Sequence, residues 1–332
     1  MRTRNLGRTG RTVSVIGLGT WQLGADWGKV SAADARAVLD AAVASGVTLF
    51  DTADVYGDGR SEQFIGAYLA DHPGHSITVA TKMGRRAAQD PANFTLANFR
   101  AWTDRSRANL GVDTIDLVQL HCPPTTVLSN DAVYDALDTL VADGAIAHYG
   151  VSVETADEAL TAIARPGVAS VQIILNAFRL KPLDAVLPAA AAAGVGIIAR
   201  VPLASGLLSG KYTATTTFAA NDHRTYNRDG SAFDVGETFS GVDFEQGVIA
   251  AREFAELAAS TPAARGLTTS QVALAWVAQL DGVSSVIPGA RNVEQAESNA
   301  AAGSAPELGA EFTAGVTDIY DRYFRGAVHG RW

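Results

Sequence analysis

From Val13 onward the chain repeats one unit: a short β-branched, apolar run followed by a longer stretch with helical spacing of apolar residues. Strands that read as unbroken apolar runs are buried on both faces, as in a parallel sheet covered by helices. The runs are Val13–Gly17, Thr48–Asp51, Ile77–Thr81, Asp116–Leu120, His148–Val151, Ser170–Ile174, Gly196–Ala199 and Ser285–Ile287. Between them, Ser31–Ser45 opens on a serine cap, carries Ala35, Val38, Leu39 and Ala42 on one face and stops before Gly46. Asn130–Asp143 repeats that grammar, with Gly144 as its stop. Eight such units with no break in composition point to a closed (β/α)8 TIM barrel, residues 1–332 forming a single domain, rather than a doubly wound sheet with a second domain.

Two irregular regions flank this repeat. The segment before Val13, with Gly7 and Gly10 between strand-like pieces, predicts a hairpin capping the N-terminal end of the barrel. Residues 212–244, rich in Thr, Asp, Asn and Gly, follow the seventh run and predict a long loop on the opposite, C-terminal face.

Composition narrows the partners. With 26 basic and 35 acidic residues the net charge is −9, a field unsuited to gathering nucleic acid or anionic lipid, although a local basic pocket for one phosphate is compatible with it. The single cysteine, Cys122, excludes an internal disulfide. No apolar run reaches the ~18 residues of a membrane helix, and the basic N-terminus lacks the apolar core of a signal peptide. A cytoplasmic protein is expected on these grounds.

In a TIM barrel the chemistry sits at the C-terminal ends of the strands. The second run ends in Asp51, and its loop continues to Tyr56; the third leads into Lys82, and the fourth into His121. A carboxylate, a phenol, an ammonium and an imidazole then converge on one mouth. No G-x-G-x-x-G opens an early helix, so a Rossmann dinucleotide site is not supported. Gly206-Leu-Leu-Ser-Gly-Lys211 has too short a glycine spacing for a P-loop, and Tyr212 stands where Ser or Thr is required.

Across almost its whole length the chain resembles the aldo-keto reductase superfamily. The resemblance is carried by Gly17-Leu-Gly-Thr-Trp21, Asp51-Thr-Ala-Asp-Val-Tyr-Gly57, Asp116-Leu-Val-Gln-Leu-His121, Gly150-Val-Ser152, Val171-Gln172, Pro202-Leu203 through Lys211, and Ile287-Pro-Gly-Ala-Arg-Asn-Val-Glu-Gln295 with Asn299. Arg200-Val-Pro-Leu-Ala-Ser-Gly and Pro-Gly-Ala-Arg make it most similar to the bacterial branch with the inositol-operon and general-stress enzymes.

The resemblance implies NADPH/NADP+, with NADH bound more weakly, and a small carbonyl or alcohol substrate. It implies cofactor contacts from Gly19, Thr20, Trp21, Asp51, Ser152, Gln172, Arg200, Pro202, Leu203, Ser205, Leu207, Lys211, Gly289, Arg291, Gln295 and Asn299. Ser152 and Gln172 would bond the nicotinamide carboxamide, the 203–211 loop would line the pyrophosphate, and Arg291 at a helix start would take a 2′-phosphate. The substrate would meet Trp21, Tyr56 and His121. The resemblance implies carbonyl reduction, which builds negative charge on the carbonyl oxygen and so needs a proton donor there and fixed donors nearby. Tyr56 would be that donor, Lys82 would lower its pKa, Asp51 would hold Lys82, and His121 would orient the carbonyl oxygen. Two positions depart from the common pattern: Val153 replaces an Asn, and Arg200 replaces a stacking aromatic.

Other features carry double readings. Trp21, Trp27 and the aromatics Phe218, Tyr226, Phe233 and Phe239 either wall an apolar substrate pocket or pack among themselves. His72 and His75 lack further metal ligands, and Cys122 beside His121 reads better as a buried inert thiol than as a redox group. Competing functions are a non-catalytic cofactor sensor on the same fold and a Schiff-base lyase using Lys82.

Overall fold

The computed structural model describes residues 1–24, 30–228, 231–232 and 237–332. Strands β1 (Thr3–Asn5) and β2 (Thr12–Ser14) form an antiparallel hairpin. The eight barrel strands are β3 (Leu18–Gly19), β4 (Leu49–Asp51), β5 (Thr78–Met83), β6 (Leu117–His121), β7 (Tyr149–Ser152), β8 (Val168–Ile174), β9 (Gly196–Arg200) and β10 (Val283–Val286). Each pairs in parallel with its sequence neighbour. Parallel bridges from Ile16 to Val286 and from Gly19 to Gly289 join the two ends, with Gly17 N donating to Val286 O at 2.8 Å.

The first strand is a correction to the sequence reading. Val13–Gly17 is not one strand: Val13 belongs to the hairpin, and the barrel strand follows it at Leu18–Gly19. A continuous apolar run does not show where pairing switches partners, and here it switches within three residues. The helices instead follow the expected caps. Ser31 and Asp34 form a capping box at the head of Ala32–Ala44, and Asn130 caps Asp131–Ala142.

Period-2 alternation along the strands builds the interior in layers. Leu49, Ala80, Leu117 and Ile198 join Leu6 and Val13 of the hairpin in one buried apolar cluster. Two residues further along the same strands stand Asp51, Lys82, Gln119 and Arg200, all buried. The hairpin therefore plugs the N-terminal end with apolar side chains while the polar layer faces the other mouth. Gly7 makes the plug possible: at φ +50 its backbone lies so close to β8 and β9 that a Cβ would fall 2.1 Å from Ala169 O and Gly196 N.

Candidate active site

Asp51 ends β4 with its side chain fully enclosed. Lys82 Nζ donates to Asp51 Oδ1 at 2.5 Å, to Thr52 O at 2.9 Å and to the Tyr56 hydroxyl at 3.4 Å. Gln172 Nε2 donates to Asp51 Oδ2 at 2.7 Å, and Gln119 Nε2 reaches the same oxygen at 3.2 Å. Both carboxylate oxygens are thus committed, and the charge of Lys82 is matched inside the barrel. Asp51 and Tyr56 together hold the Lys82 pKa above its ordinary value although burial opposes them. An ammonium held this way is a poor Schiff-base nucleophile.

Tyr56 rides on a tight turn. Its neighbour Gly57 approaches Gly24 so closely that a Cβ would sit 2.2 Å from Gly24 O, and Asp58 in the left-handed region is held by Arg86 and Arg105 at 2.7 and 2.9 Å. The half-buried phenol meets the Lys82 ammonium through its hydroxyl and the His121 ring edge-on, centroids 6.0 Å apart. Lys82 pulls the Tyr56 pKa down as expected, but desolvation is the larger effect and pushes it up to about 12, with help from Asp51 and Glu237. The phenol therefore stays protonated across the neutral range.

The four sequence-derived residues Asp51, Tyr56, Lys82 and His121 come together at the mouth. His121, Ser152 and Gln172 are register partners across β6, β7 and β8, which sets them side by side. Trp21 stacks at a tilt near Tyr56, with centroids 6.3 Å apart. Gln172 spends its amide nitrogen on Asp51 and Gln119. The Val153 side chain is buried in the main apolar cluster, and its N–H donates to Gln172 O at 2.9 Å.

Thr20, one of the expected cofactor contacts, ends the stretch after β3. Its side chain is fully buried, donating to Asp51 O at 2.8 Å and accepting from Ser61 Oγ at 2.8 Å, while Thr52 Oγ1 donates to Ser61 Oγ. It clamps β3 to the end of β4 and frames Asp51 from behind. Gly19 remains half-exposed beside Gly289.

Around the mouth lie the loops expected to take phosphates. Ala204, Ser205 and Gly206 occupy the left-handed region in succession after β9, and the amides of Ala204 and Gly206 donate to Val201 O and Leu203 O within the loop. Pro202 and Leu207 are buried within this loop, Leu203 is half-buried, and Lys211 is exposed. Across from it, Asn292 caps the helix Val293–Ala301, Gln295 Oε1 accepts from Arg291 N at 2.9 Å, and Asn299 Nδ2 donates to Gly289 O at 3.1 Å. Gln295 and Asn299 thus share the face that holds the 289–291 loop, and Arg291 itself is exposed.

Several residues here escaped the sequence reading. Gln119 carried a signal, since it stands two positions before His121 on the inward face. Glu154 and Glu237 carried none: they flank Arg200 at 3.1 and 3.3 Å, so the guanidinium is held in a carboxylate clamp. His223, on the short helix His223–Tyr226 within the long loop, lies 5.4 Å from the Trp21 ring. Burial outweighs Asp222 and lowers its pKa to about 4, so it is neutral.

The aromatics of that loop mostly pack rather than line a wall. Phe218 contacts Tyr212, Phe239 and Phe244 at 5.2 to 5.9 Å, while Tyr226 is exposed; Trp27 and Phe233 lie outside the described residues. Cys122 is half-buried rather than enclosed, with Sγ 3.5 Å from Ser152 Oγ. His72 stacks on Tyr68 at 4.2 Å, and His75 Nδ1 accepts from Ile77 N.

Residues 15–321 match the model of the aldo/keto reductase family. An uncharacterized oxidoreductase of Mycobacterium tuberculosis is 34% identical over 331 residues, covering 96% of this chain and 93% of that protein. The chain belongs to the aldo/keto reductase family. Among solved structures, the glycerol dehydrogenase of Gluconobacter oxydans matches with a TM-score of 0.79 at 29% identity, covering 97% of this chain and 96% of that one. A holo-form aldo-keto reductase of Bacillus halodurans matches with a TM-score of 0.75 at 26% identity, covering 96% of each chain. This aldo/keto reductase is accordingly an oxidoreductase on a (β/α)8 barrel. Among the described residues no helix is long and apolar enough to cross a membrane.

Proposed function

We propose that this chain, acting as one barrel domain, is an NADPH-dependent carbonyl reductase in which Tyr56 is the general acid of reduction and the general base of the reverse reaction. The observation that carries the reading is the Lys82 ammonium bridging Asp51 at 2.5 Å and the Tyr56 hydroxyl at 3.4 Å. A small aldehyde or ketone would place its oxygen between Tyr56 and His121, with Trp21 forming one side of its pocket. As negative charge grows on that oxygen, the phenol gives up its proton, and the adjoining ammonium stabilises the phenolate left behind. Asp51, with Gln119 and Gln172 on its second oxygen, keeps Lys82 in place.

The family uses NADPH. The residues present fit that cofactor: the exposed Lys211 ammonium at the end of the loop after β9 suits a pyrophosphate, and Arg291 at the head of a helix suits a 2′-phosphate. Bound NADPH supplies the hydride. Ser152 and Gln172 would hold its carboxamide, the Gln172 amide oxygen serving as acceptor because the nitrogen is taken. Arg200, clamped by Glu154 and Glu237, would offer a flat guanidinium to the ring.

The test is a titration with NADPH and NADH followed by tryptophan fluorescence, then absorbance at the nicotinamide band against a panel of aldehydes and ketones. Tight NADPH binding with consumption is expected. Binding without consumption would favour a cofactor sensor, and no binding would overturn the reading.

A further inference from the structure

Asp54 lies between Asp51 and Tyr56 in the turn that delivers the phenol, and the mechanism above gives it no task. Its side chain is fully buried, and neither carboxyl oxygen meets a hydrogen-bond partner. The turn itself is fixed, since Asp54 N donates to Lys82 O at 3.1 Å and Arg86 Nη1 donates to Asp54 O at 3.3 Å. A buried carboxylate without donors is costly, and the group relieves that cost by keeping its proton.

The charges facing Asp54 come from three elements. Glu62, on the helix Arg60–Asp71, is fully buried and disfavours a second negative charge; its own oxygens accept from Thr81 Oγ1 at 2.6 Å and Asn109 Nδ2 at 2.9 Å. Lys82 on β5 and Arg86 just beyond it favour the carboxylate, but Lys82 is committed to Asp51 and Arg86 donates to Asp58 at 2.7 Å. Within the turn the nearby Val55 N–H pulls the same way. Burial, followed by Glu62, prevails and pushes the Asp54 pKa up to about 7.

We propose that Asp54 is a positioning residue of the reductase site: as a neutral acid it leaves the Lys82 ammonium to Asp51 and Tyr56, and as a carboxylate it competes for that ammonium and weakens its support of the phenol. This rests on the reading of Tyr56 as proton donor. The sign follows from charge. An ionised Asp54 draws on the Lys82 ammonium, which then lowers the Tyr56 pKa less and leaves a weaker acid, so reductive turnover falls as pH rises through the Asp54 titration.

Two measurements on the full chain test the proposal. Infrared difference spectra of the protein alone, from about pH 6 to about pH 8.5, report protonated carboxyl groups without any substrate. A carboxyl C=O band that disappears over this range in the wild type and is missing from Asp54→Asn is expected. Over the same range wild-type kcat for carbonyl reduction falls about threefold to tenfold, the consequence of a neighbouring charge moving a proton donor by up to about one pH unit, whereas Asp54→Asn stays level. Glu62→Gln removes one of the opposing charges and shifts both the band and the kcat limb to lower pH, which keeps the test available should Asp54→Asn fold poorly. An unchanged band in Asp54→Asn, or the same kcat limb with the band gone, would overturn the proposal. A wild type that keeps the band but reduces no carbonyl at any pH would instead overturn the reductase reading, and the positioning role with it.

Discussion

The two halves of the candidate site are held by different means. On the side of β4, β5, β6 and β8, the side chains of Asp51, Lys82, Gln119 and Gln172 spring from strands and bond one another inside the barrel. On the side of β9, Arg200 is held by Glu154 and by Glu237, and His223 reaches Trp21, so two of the contacts come from the long loop. Strand-borne groups inherit the precision of the sheet; loop-borne groups depend on ion pairs and on a protonation state. The difference teaches that the network around Asp51 and Lys82 is built into the sheet, whereas the surroundings of Arg200 and Trp21 are assembled in part by the chain between β9 and the helix Phe244–Ser260.

The largest effect should come from breaking the strand-borne network. Lys82→Met leaves the Asp51 carboxylate buried without its counter-charge and should cost about 3–5 kcal/mol in denaturant unfolding, besides removing turnover. Adding Asp51→Asn should recover most of that stability and none of the activity. A single Lys82→Met loss below about 1 kcal/mol would show that water, not Lys82, neutralises Asp51.

Acid should separate the two halves. His223 has a folded pKa of about 4, below that of an unfolded histidine, so its contribution is fully present near neutrality and is lost as pH falls from about 6.5 through 4. The loss amounts to at most ~3 kcal/mol. Limited proteolysis at pH 5 should therefore cut within 212–244 while leaving the barrel whole, and His223→Phe should abolish that pH dependence. Equal cutting at pH 5 and pH 7.5 would detach His223 from the order of the loop.

The cofactor side offers a selective break. Arg291→Ala should weaken NADPH by about 1.5–3 kcal/mol and NADH much less, as read by fluorescence titration, because only NADPH has a 2′-phosphate. Equal losses would place that phosphate elsewhere. The smallest effect expected is that of Thr20→Val, about 1 kcal/mol of stability with NADPH affinity unchanged, since the hydroxyl faces Asp51 O and Ser61. A large loss of affinity would show that the Thr20 hydroxyl serves the cofactor.

What was legible in the sequence follows the same division. Asp51, Lys82 and His121 stand where short apolar runs give way to polar residues, and in a parallel barrel that position is the mouth. Gln119 is found by the period of two from His121. The clamp on Arg200 is invisible in this way, because Glu237 is brought to it by a loop whose path no local pattern encodes. Asp54 hides for another reason: nothing in Asp51-Thr-Ala-Asp-Val-Tyr56 tells a buried carboxyl from an exposed one, and its burial near Glu62 of the helix Arg60–Asp71 is set by the tertiary fold. The hairpin's share of Val13–Gly17 was lost because apolar continuity carries no information about a change of strand partner.

The most direct test of the account is a comparison of wild type and Tyr56→Phe at saturating NADPH, following absorbance of the nicotinamide band with one turned-over aldehyde while measuring NADPH affinity by fluorescence. The account predicts that turnover falls by about 10²–10⁴ while affinity stays within about twofold, because only the proton donor is removed. Turnover retained in Tyr56→Phe would contradict it and take Tyr56 out of the chemistry.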